Sequence, residues 1–378
     1  MSSSAFAKTG LPDFFHPMKL IPIILALCST LAFAGVPERA KQHTRAYDQA
    51  YETWLNDVRT ATDNDAQNAA WMRRPDPVAA GKAVWDEIRN DLAEAWTLEY
   101  AAWMLMNTPE AAVASPGGRP SPARLIWDAV EKHHLKSSKV GPYCIALTYV
   151  QDPRSMRLLE VIEKENPNAE VKGAAALGQA ILHRRLGDEK HGMFHRQENL
   201  KQAIKAPEMV VGKTTTPEII KDEIFRMTRL TVGVRAPDFK GVDITQKVSS
   251  LSDYEGKVVI LFFWHALMPA HDQSLALMKK YQEEFAGKDV AILGVNMDNP
   301  LTLRKLTADG TVNWRNFSDS TQKISKLYRI ERWPYVYVLD QNQTIRYVGE
   351  PGAFVKITAA DLLEQPPAKM APPLSEGE

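Results

Sequence analysis

The sequence contains little cysteine and no excess charge. Of its 378 residues, only Cys28 and Cys144 are cysteines. The 46 Lys and Arg side chains balance the 46 Asp and Glu side chains, so charge does not attract the chain to nucleic acid or to acidic membranes. A glycine-rich phosphate-binding loop, a nucleophilic serine motif and a basic patch with interleaved aromatic residues are also missing. A nucleic-acid partner is therefore not expected.

The N-terminus predicts an export signal. Lys19 precedes the apolar stretch LIPIILALCSTLAFA, which is too short to span a membrane comfortably. Residues 32–34, Ala-Phe-Ala, form a small-residue cleavage site. We therefore expect a signal peptide within residues 1–34, with Met18 as the true start and Gly35 as the first mature residue.

Removal of this signal leaves no expected transmembrane span and predicts a periplasmic or extracellular protein. It also removes Cys28, so Cys144 has no partner for an internal disulfide in an oxidising compartment. The apolar surroundings PYCIALTYV predict that Cys144 is buried, with an intermolecular disulfide as the alternative. Attachment as a lipoprotein through Cys28 is disfavoured because the preceding Leu27 is not small.

Residues 35–228 are predicted to form an α-helical domain. RAYDQAYETWLNDVRTA has an apolar stripe that includes Trp54, and a second, long helix is predicted to end at Pro109. The stripe of this second helix comprises Val84, Ile88, Leu92 and Trp96. Short helices separated by Pro and Asn are typical of helical-repeat packing, although no repeat consensus is met. The Trp-rich stripe is expected in the core, with a binding groove as the alternative.

Residues 229–365 show an α/β pattern instead. KVVILFFW and DVAILGVNMD read as strands buried on both faces, with a helix between them. YVYVLD and TIRYVG are predicted to form a β-hairpin, and a helix follows. Residues 366–378 are rich in proline and acidic residues and are predicted to be disordered. The predicted fold class is therefore α+β multi-domain, with an all-α region followed by an α/β domain.

Several segments of the second half carry a family resemblance. They are VGVRAPDFKGVDI, LSDYEGKVVILFFW, ILGVNMD, WPYVYVLD and IRYVG. In this order and spacing they resemble the TlpA/ResA-like branch of thioredoxin-fold oxidoreductases, also described as redoxin or AhpC/TSA-type domains. The chain is also similar to large exported bacterial proteins that place a helical region before such a domain.

The resemblance implies a Trp-x-x-x-Cys-x-x-Cys motif and a cis proline that faces it. Trp264 matches the tryptophan and Pro334 matches the proline, but Met268 and His271 stand at the two cysteine positions. A thioether has no proton to lose, and imidazole cannot resolve a mixed disulfide. The family reaction, thiol-disulfide exchange, is therefore not expected. Residual oxidoreductase or antioxidant activity, which the family label implies, is the alternative. No cofactor is implied.

Three functions remain open. The first is protein or peptide binding in a groove beside the cis proline, by main-chain hydrogen bonds. The predicted groove residues are Trp264, His265, Met268, Pro269, His271, Trp333 and Pro334. The second is copper binding by His265, Met268 and His271, because imidazole and thioether suit that metal. The third is a scaffold role in the cell envelope, with partner contacts made by the helical region.

Overall fold

A computed structural model of the chain describes the residues in the following ranges. They are 36–61, 64–150, 152–186, 189–266, 268 and 271–365. The predicted signal peptide and the predicted disordered tail, residues 366–378, lie outside the described residues. Helices dominate the first part of the described chain, and a five-stranded sheet forms the centre of the second part. This arrangement confirms the predicted α+β class.

The helices of the first part follow one another with short connections. They are α1 (Val36–Thr60), α2 (Asn64–Trp71), α3 (Pro77–Ile88), α4 (Thr97–Asn107), α5 (Pro109–Val113), α6 (Pro122–Ala129), α7 (Gly141–Ala146), α8 (Arg154–Glu165), α9 (Ala169–Leu186), α10 (Glu189–Lys205) and α11 (Thr216–Arg229). Capping residues explain several starts. At α3, the Asp76 side chain accepts hydrogen bonds from the Val78 and Ala79 amides, and Pro77 occupies the first helical position.

The helix predicted to run to Pro109 is two helices, which corrects that prediction. α3 ends at Ile88, and α4 begins only at Thr97. Tight turns fill the gap, in which the Asp91 amide donates to the Ile88 carbonyl and the Glu94 amide to the Asp91 carbonyl. The Thr97 hydroxyl then donates to the Glu94 carbonyl at 2.8 Å. These local bonds compete with a continuous helix.

A second difference is a small β-hairpin inside the region predicted to be helical. β1 (Val210–Val211) pairs with β2 (Thr214–Thr215) in antiparallel register. Gly212 at the turn has φ +59°, a left-handed conformation that glycine adopts without strain. Helix α11 follows directly, because Thr215 and Glu218 form a capping box at its start.

Helix α9 lies at the centre of the helical part. It packs against α7, α8, α10 and α11. Its alanines Ala174, Ala175, Ala176 and Ala180 are buried, and their small side chains let neighbouring helices approach closely. The result is one apolar core that extends from α1 to α11.

The elements of the second part are β3 (Lys240–Val242), β4 (Val248–Ser250), β5 (Val258–Trp264), α12 (His271–Glu284), β6 (Val290–Asn296), α13 (Pro300–Ala308), β7 (Arg315–Ser318), α14 (Lys323–Leu327), β8 (Tyr335–Leu339), β9 (Ile345–Gly349) and α15 (Ala353–Glu364). Five of the strands form a mixed sheet in the order β7-β6-β5-β8-β9. Strands β5, β6 and β7 are parallel, whereas β8 is antiparallel to both β5 and β9. The order of strands and helices is that of the thioredoxin fold, as the resemblance predicts.

Strand β5 is the centre of this sheet, and all seven of its residues are buried. Its alternate side chains enter two apolar clusters, because side chains of a strand point to opposite faces. Ile260 and Phe262 pack in one cluster with residues of α12 and α15, whereas Leu261 and Phe263 pack in the other with Tyr328. The prediction of a strand buried on both faces is confirmed.

Candidate functional site

The predicted site lies where β5 ends and α12 begins. Trp264, the last residue of β5, is fully buried, and its ring stacks on Phe262 with centroids 6.1 Å apart. Its indole Nε1–H donates a hydrogen bond of 2.8 Å to Oδ1 of Asn316 on β7. Trp264 therefore belongs to the core beneath the loop. This corrects its predicted place in the lining of a groove.

A buried carboxylate from the neighbouring strand holds the loop after Trp264. Asp298, which follows β6, accepts hydrogen bonds from the Ala266 amide at 2.7 Å and from Nδ2 of Asn296 at 2.8 Å. Burial raises the pKa of Asp298, and these two hydrogen bonds together with nearby His271 offset part of that rise. Asp298 is not among the residues predicted from the sequence. The signal that could have found it is the set of polar residues Asn296, Asp298 and Asn299 at the carboxyl end of a buried parallel strand.

The two residues at the predicted cysteine positions have different surroundings. Met268 is only 4% exposed and packs in the same apolar cluster as Leu275, which corrects its predicted place on the groove surface. An apolar thioether gains free energy from this burial. His271 opens α12, with Nδ1 3.1 Å from Oδ1 of Asp272, and its buried Nε2 has no hydrogen-bond partner among the described residues. Pro269 lies outside the described residues.

His265 lies between two tryptophans. Its ring centroid is 5.8 Å from that of Trp333 and 6.1 Å from that of Trp71 on α2. The Trp333–Pro334 peptide bond is cis, which confirms that prediction, and both residues are half-buried. Burial, together with a smaller effect of the neighbouring His271, lowers the pKa of His265 from 6.5 to about 4. The imidazole of His265 is therefore neutral at pH 7.

We expect the neutral state of His265 to make stability depend on pH. The folded pKa of about 4 lies below the unfolded value of 6.5. The stability that is linked to neutral His265 is therefore fully present above pH 6.5 and is lost as the pH falls towards 4. Between pH 7 and pH 4.5, the free energy of unfolding of the wild type should fall by about 2 kcal/mol more than that of His265→Phe. Urea unfolding at each pH measures this difference. Parallel pH profiles for the two proteins would contradict the assignment.

Thiol chemistry has no visible source at this site. Among the described residues the only free cysteine is Cys144. It lies in the helical part and is completely buried. Burial raises the pKa of its thiol, and Sγ lies 3.4 Å from the Val140 carbonyl oxygen. A buried protonated thiol is inert. Within the described chain, no group of three or more His, Cys, Asp or Glu side chains could hold a metal ion.

The helical part contacts the loop from outside. Besides the Trp71–His265 contact, the Thr302 hydroxyl donates to Oε1 of Gln67 on α2 at 3.1 Å. Nδ2 of Asn299 donates to the carbonyl oxygen of Ala61 at 3.3 Å. Helix α2 and Ala61 therefore lie against His265, which follows β5, and against the start of α13. The residue order alone gave no indication of this contact.

A second set of contacts between the two parts lies beside the cis proline. Nη2 of Arg226 on α11 is 2.6 Å from Oε1 of Glu331, and Arg184 and Arg185 of α9 lie 3.7 and 3.5 Å from Oε2 of the same carboxylate. Nε of Arg329 donates to Oδ1 of Asp222 at 2.8 Å. The segment that leads to Trp333 is thus tied to the helices by ion pairs. No helix in the described part of the chain is long and apolar enough to cross a membrane.

Comparisons with known proteins identify relatives of the second part. The model of the AhpC/TSA family matches residues 232–348. Thiol-disulfide oxidoreductase ResA of Geobacillus kaustophilus is 26% identical over 122 residues, 32% of this chain and 70% of that protein. A thiol peroxidase of Leptospira interrogans is 32% identical over 132 residues, 31% of this chain and 75% of that protein. A similar solved structure is the thioredoxin domain of a thiol-disulfide oxidoreductase from Bacteroides vulgatus, which is 22% identical in sequence. The match covers 35% of this chain and 98% of that chain, with a TM-score of 0.32.

Proposed function

Because the chain belongs to the AhpC/TSA family through residues 232–348, we propose that this domain keeps the fold of the thiol-disulfide oxidoreductases and lacks their reaction. Its function is then to bind a protein or peptide, or to act as a scaffold in the cell envelope. The one observation that carries the proposal is the residue pair Met268 and His271, which stands between Trp264 and the body of α12 where the family resemblance implies two cysteines.

The chemistry of these side chains supports the loss of the reaction. The family mechanism needs a thiolate at the start of a helix, where the helix dipole stabilises the negative charge. A second thiol must then resolve the mixed disulfide. The Met268 thioether is buried and cannot ionise, and the His271 imidazole can exchange protons only. Cys144 lies in the other part of the chain and is buried, so it does not replace either thiol.

The exposed remainder of the site supports a binding role. His265, His271, Trp333 and Pro334 are each partly accessible, and tryptophan is enriched at protein interfaces. A peptide in this groove would be held by main-chain hydrogen bonds beside Pro334, as in other sheet-edge recognition. Helix α2 already occupies one side of the groove through Trp71. A partner would therefore bind to both parts of the chain.

We also propose the organisation and location of the protein. Residues 1–34 carry the signal peptide, residues 35–228 form the helical domain, and residues 229–365 form the thioredoxin-like domain. Lys19, the apolar stretch that follows it and the small-residue cleavage site at residues 32–34 support an exported mature chain. The last helix of the first part ends at Arg229, shortly before the family match begins at residue 232, which supports the domain boundary.

The redox part of the proposal predicts an inactive protein. We expect the mature chain to show neither disulfide reduction nor peroxide consumption above the uncatalysed rate with dithiothreitol, because no ionisable thiol is available. The Cys144→Ala variant should behave identically. Both rates are measured with purified protein, and a thiol-dependent activity that survives Cys144→Ala would overturn the proposal. An activity that is lost in this variant would overturn it too, and would assign the chemistry to Cys144.

A further inference from the structure

The helical part contains a large open cleft that the redox site does not use. Its volume is about 1480 Å³, which exceeds the roughly 300–1,000 Å³ of a pocket for a drug-sized ligand. Helices α1 and α4 line one end, whereas α9, α11 and Glu331 line the other. Helix α7 lies between these ends, because it packs against both α4 and α9. The cleft therefore suits an elongated ligand.

One end of the cleft is aromatic and carries charges of both signs, because Asp48 and Glu110 line it together with Lys41, Arg45 and Arg74. Tyr47 and Tyr51 stack with ring centroids 6.0 Å apart, and the rings of Tyr47 and Trp103 meet edge to face with centroids 5.6 Å apart. Nε1 of Trp103 donates to Oδ1 of Asp48 at 3.1 Å. In the part of the chain that the structure describes, neither Asp48 nor Glu110 forms an ion pair. The rings therefore offer a contact surface for apolar and aromatic side chains of a ligand, and the mixed charges select neither sign.

The other end carries an excess of positive charge. Four guanidinium groups surround two carboxylates there, those of Glu223 and Glu331. The four belong to Arg184, Arg185, Arg196 and Arg226, which we call the Arg cluster. Arg185 is its most accessible lining member: it hydrogen-bonds the Thr148 carbonyl, lies 5.2 Å from the Tyr149 ring and reaches Glu331 only at 3.5 Å. Two positive charges remain without a carboxylate in the cluster, which favours an anionic ligand group.

The β1–β2 hairpin closes the cleft along one side. At its tip, Nζ of Lys213 lies 2.5 Å from Oε1 of Glu52 on α1, 161 residues away in sequence. Both side chains are exposed, at 76% and 59%, and an ion pair exposed to this extent contributes little to stability. The contact completes a ring of elements around the cleft and is weak enough to open when a ligand enters.

We infer that this cleft binds an oligopeptide with a free carboxyl terminus. The carboxylate lies at the Arg cluster, and side chains of the peptide pack on the rings of Tyr47, Tyr51 and Trp103. A peptide combines a terminal carboxylate with an elongated, partly apolar body, which is the pattern that the cleft presents. Tyr and Trp side chains supply rigid contact area at small entropic cost. The inference does not depend on the redox proposal.

The test uses the mature full-length chain and synthetic peptides. A pool of random hexapeptides with free termini is passed over the immobilised protein, beside the same pool with amidated carboxyl termini. Retained peptides are identified by mass spectrometry, and the affinity of one of them is measured by calorimetry in its acid and amide forms. We expect retention from the free-carboxylate pool and at least tenfold weaker binding of the amide, because the amide loses a charge-assisted pair.

Substitutions of cleft residues test whether the peptide binds in the cleft. Arg185→Gln should weaken binding of the acid form of the peptide about tenfold and leave binding of the amide form nearly unchanged. The substitution and the amidation each remove the same pair between guanidinium and carboxylate. Tyr51→Ala should weaken both forms. The matched control is Arg157→Gln. Arg157 forms an exposed ion pair with Glu131 outside the cleft, so this variant should bind the peptide as the wild type does. Circular dichroism checks that each variant is folded.

Other outcomes overturn the inference. They are no retention from either pool, equal affinity of the acid and amide forms for the wild type, and unchanged acid binding by Arg185→Gln. The comparison of acid and amide on the wild-type protein is independent of how any variant folds. Retention of neutral oligosaccharides in place of peptides would also overturn it, because the Arg cluster would then have no carboxylate to bind.

Discussion

Replacing Glu223 by alanine is expected to lower the free energy of unfolding of the helical part by about 3–5 kcal/mol. The Glu223 side chain is only 4% exposed. It accepts hydrogen bonds from Nη2 of Arg184 at 2.8 Å and from Nη2 of Arg196 at 2.9 Å. Removal of the carboxylate leaves buried guanidinium groups without their partner, and desolvation of an unpaired charge is costly. Urea unfolding followed by far-UV circular dichroism measures the loss.

Glu131→Ala is the matched control for this change. Glu131 also pairs with an arginine, Arg157, at 3.4 Å, but the two side chains are 37% and 72% exposed. An exposed pair contributes little, so this variant should differ from the wild type by no more than about 0.5 kcal/mol. Equal losses for the two glutamates would contradict the view that the Arg cluster is a buried network that stabilises α9 and α11.

A second large effect is expected from Gly294→Ala in β6. A Cβ atom at this position would lie 1.7 Å from Oδ1 of Asn316 and 3.0 Å from Nε1 of Trp264. Asn316 must move, which breaks the 2.8 Å hydrogen bond that orients Trp264. Overpacking and the orphaned indole N–H together should lower stability by about 3 kcal/mol. A lowered urea midpoint and a changed tryptophan fluorescence maximum would report both consequences.

Gly352→Ala provides the comparison, because an added Cβ there meets no atom within 4 Å. Its φ of 176° is extended backbone that alanine also adopts. We expect its midpoint to stay near that of the wild type. If Gly294→Ala were as stable as Gly352→Ala, the packing of Trp264 against β6 and β7 would be wrong.

The thioredoxin-like part was largely predictable because its signals are local. The run KVVILFFW specifies a strand buried on both faces, and it became the central strand of the sheet. A parallel strand after one helix requires a crossover, which fixes β5 beside β6. The match of Pro334 to the cis proline of the resembled family implied the cis bond after Trp333. Each of these conclusions rests on a few adjacent residues.

The remaining features depend on contacts between distant residues. The apolar spacing of Val84 to Trp96 predicted one helix, but turns near Asp91 divide it. Met268 and Trp264 were expected on a groove surface, and only the packing of the sheet shows that they are buried. Trp54 is in the core, as expected, whereas Trp103 lines the cleft. A periodic apolar stripe does not distinguish a core residue from one that lines a cleft, because both positions need an apolar face.

The structure also joins the two parts of the chain in a way that bears on function. Rings of Trp54, Trp71, His265 and Trp333 follow one another at centroid distances of 5.1, 6.1 and 5.8 Å. This row extends from the helical core to the cis proline. It fills space beside the position where the family resemblance places a reactive dithiol. If the dithiol is lost as proposed, the domain has no thiol to expose to large substrates and tolerates such a neighbour.

The central claim is that the fold is kept and the dithiol is lost. The most direct measurement is insulin reduction with dithiothreitol by the mature wild type, beside a variant that carries both Met268→Cys and His271→Cys. The account predicts that the wild type stays at the uncatalysed rate and that the double variant gains turnover, because two thiols then stand at the start of α12. Turnover by the wild type would contradict the account.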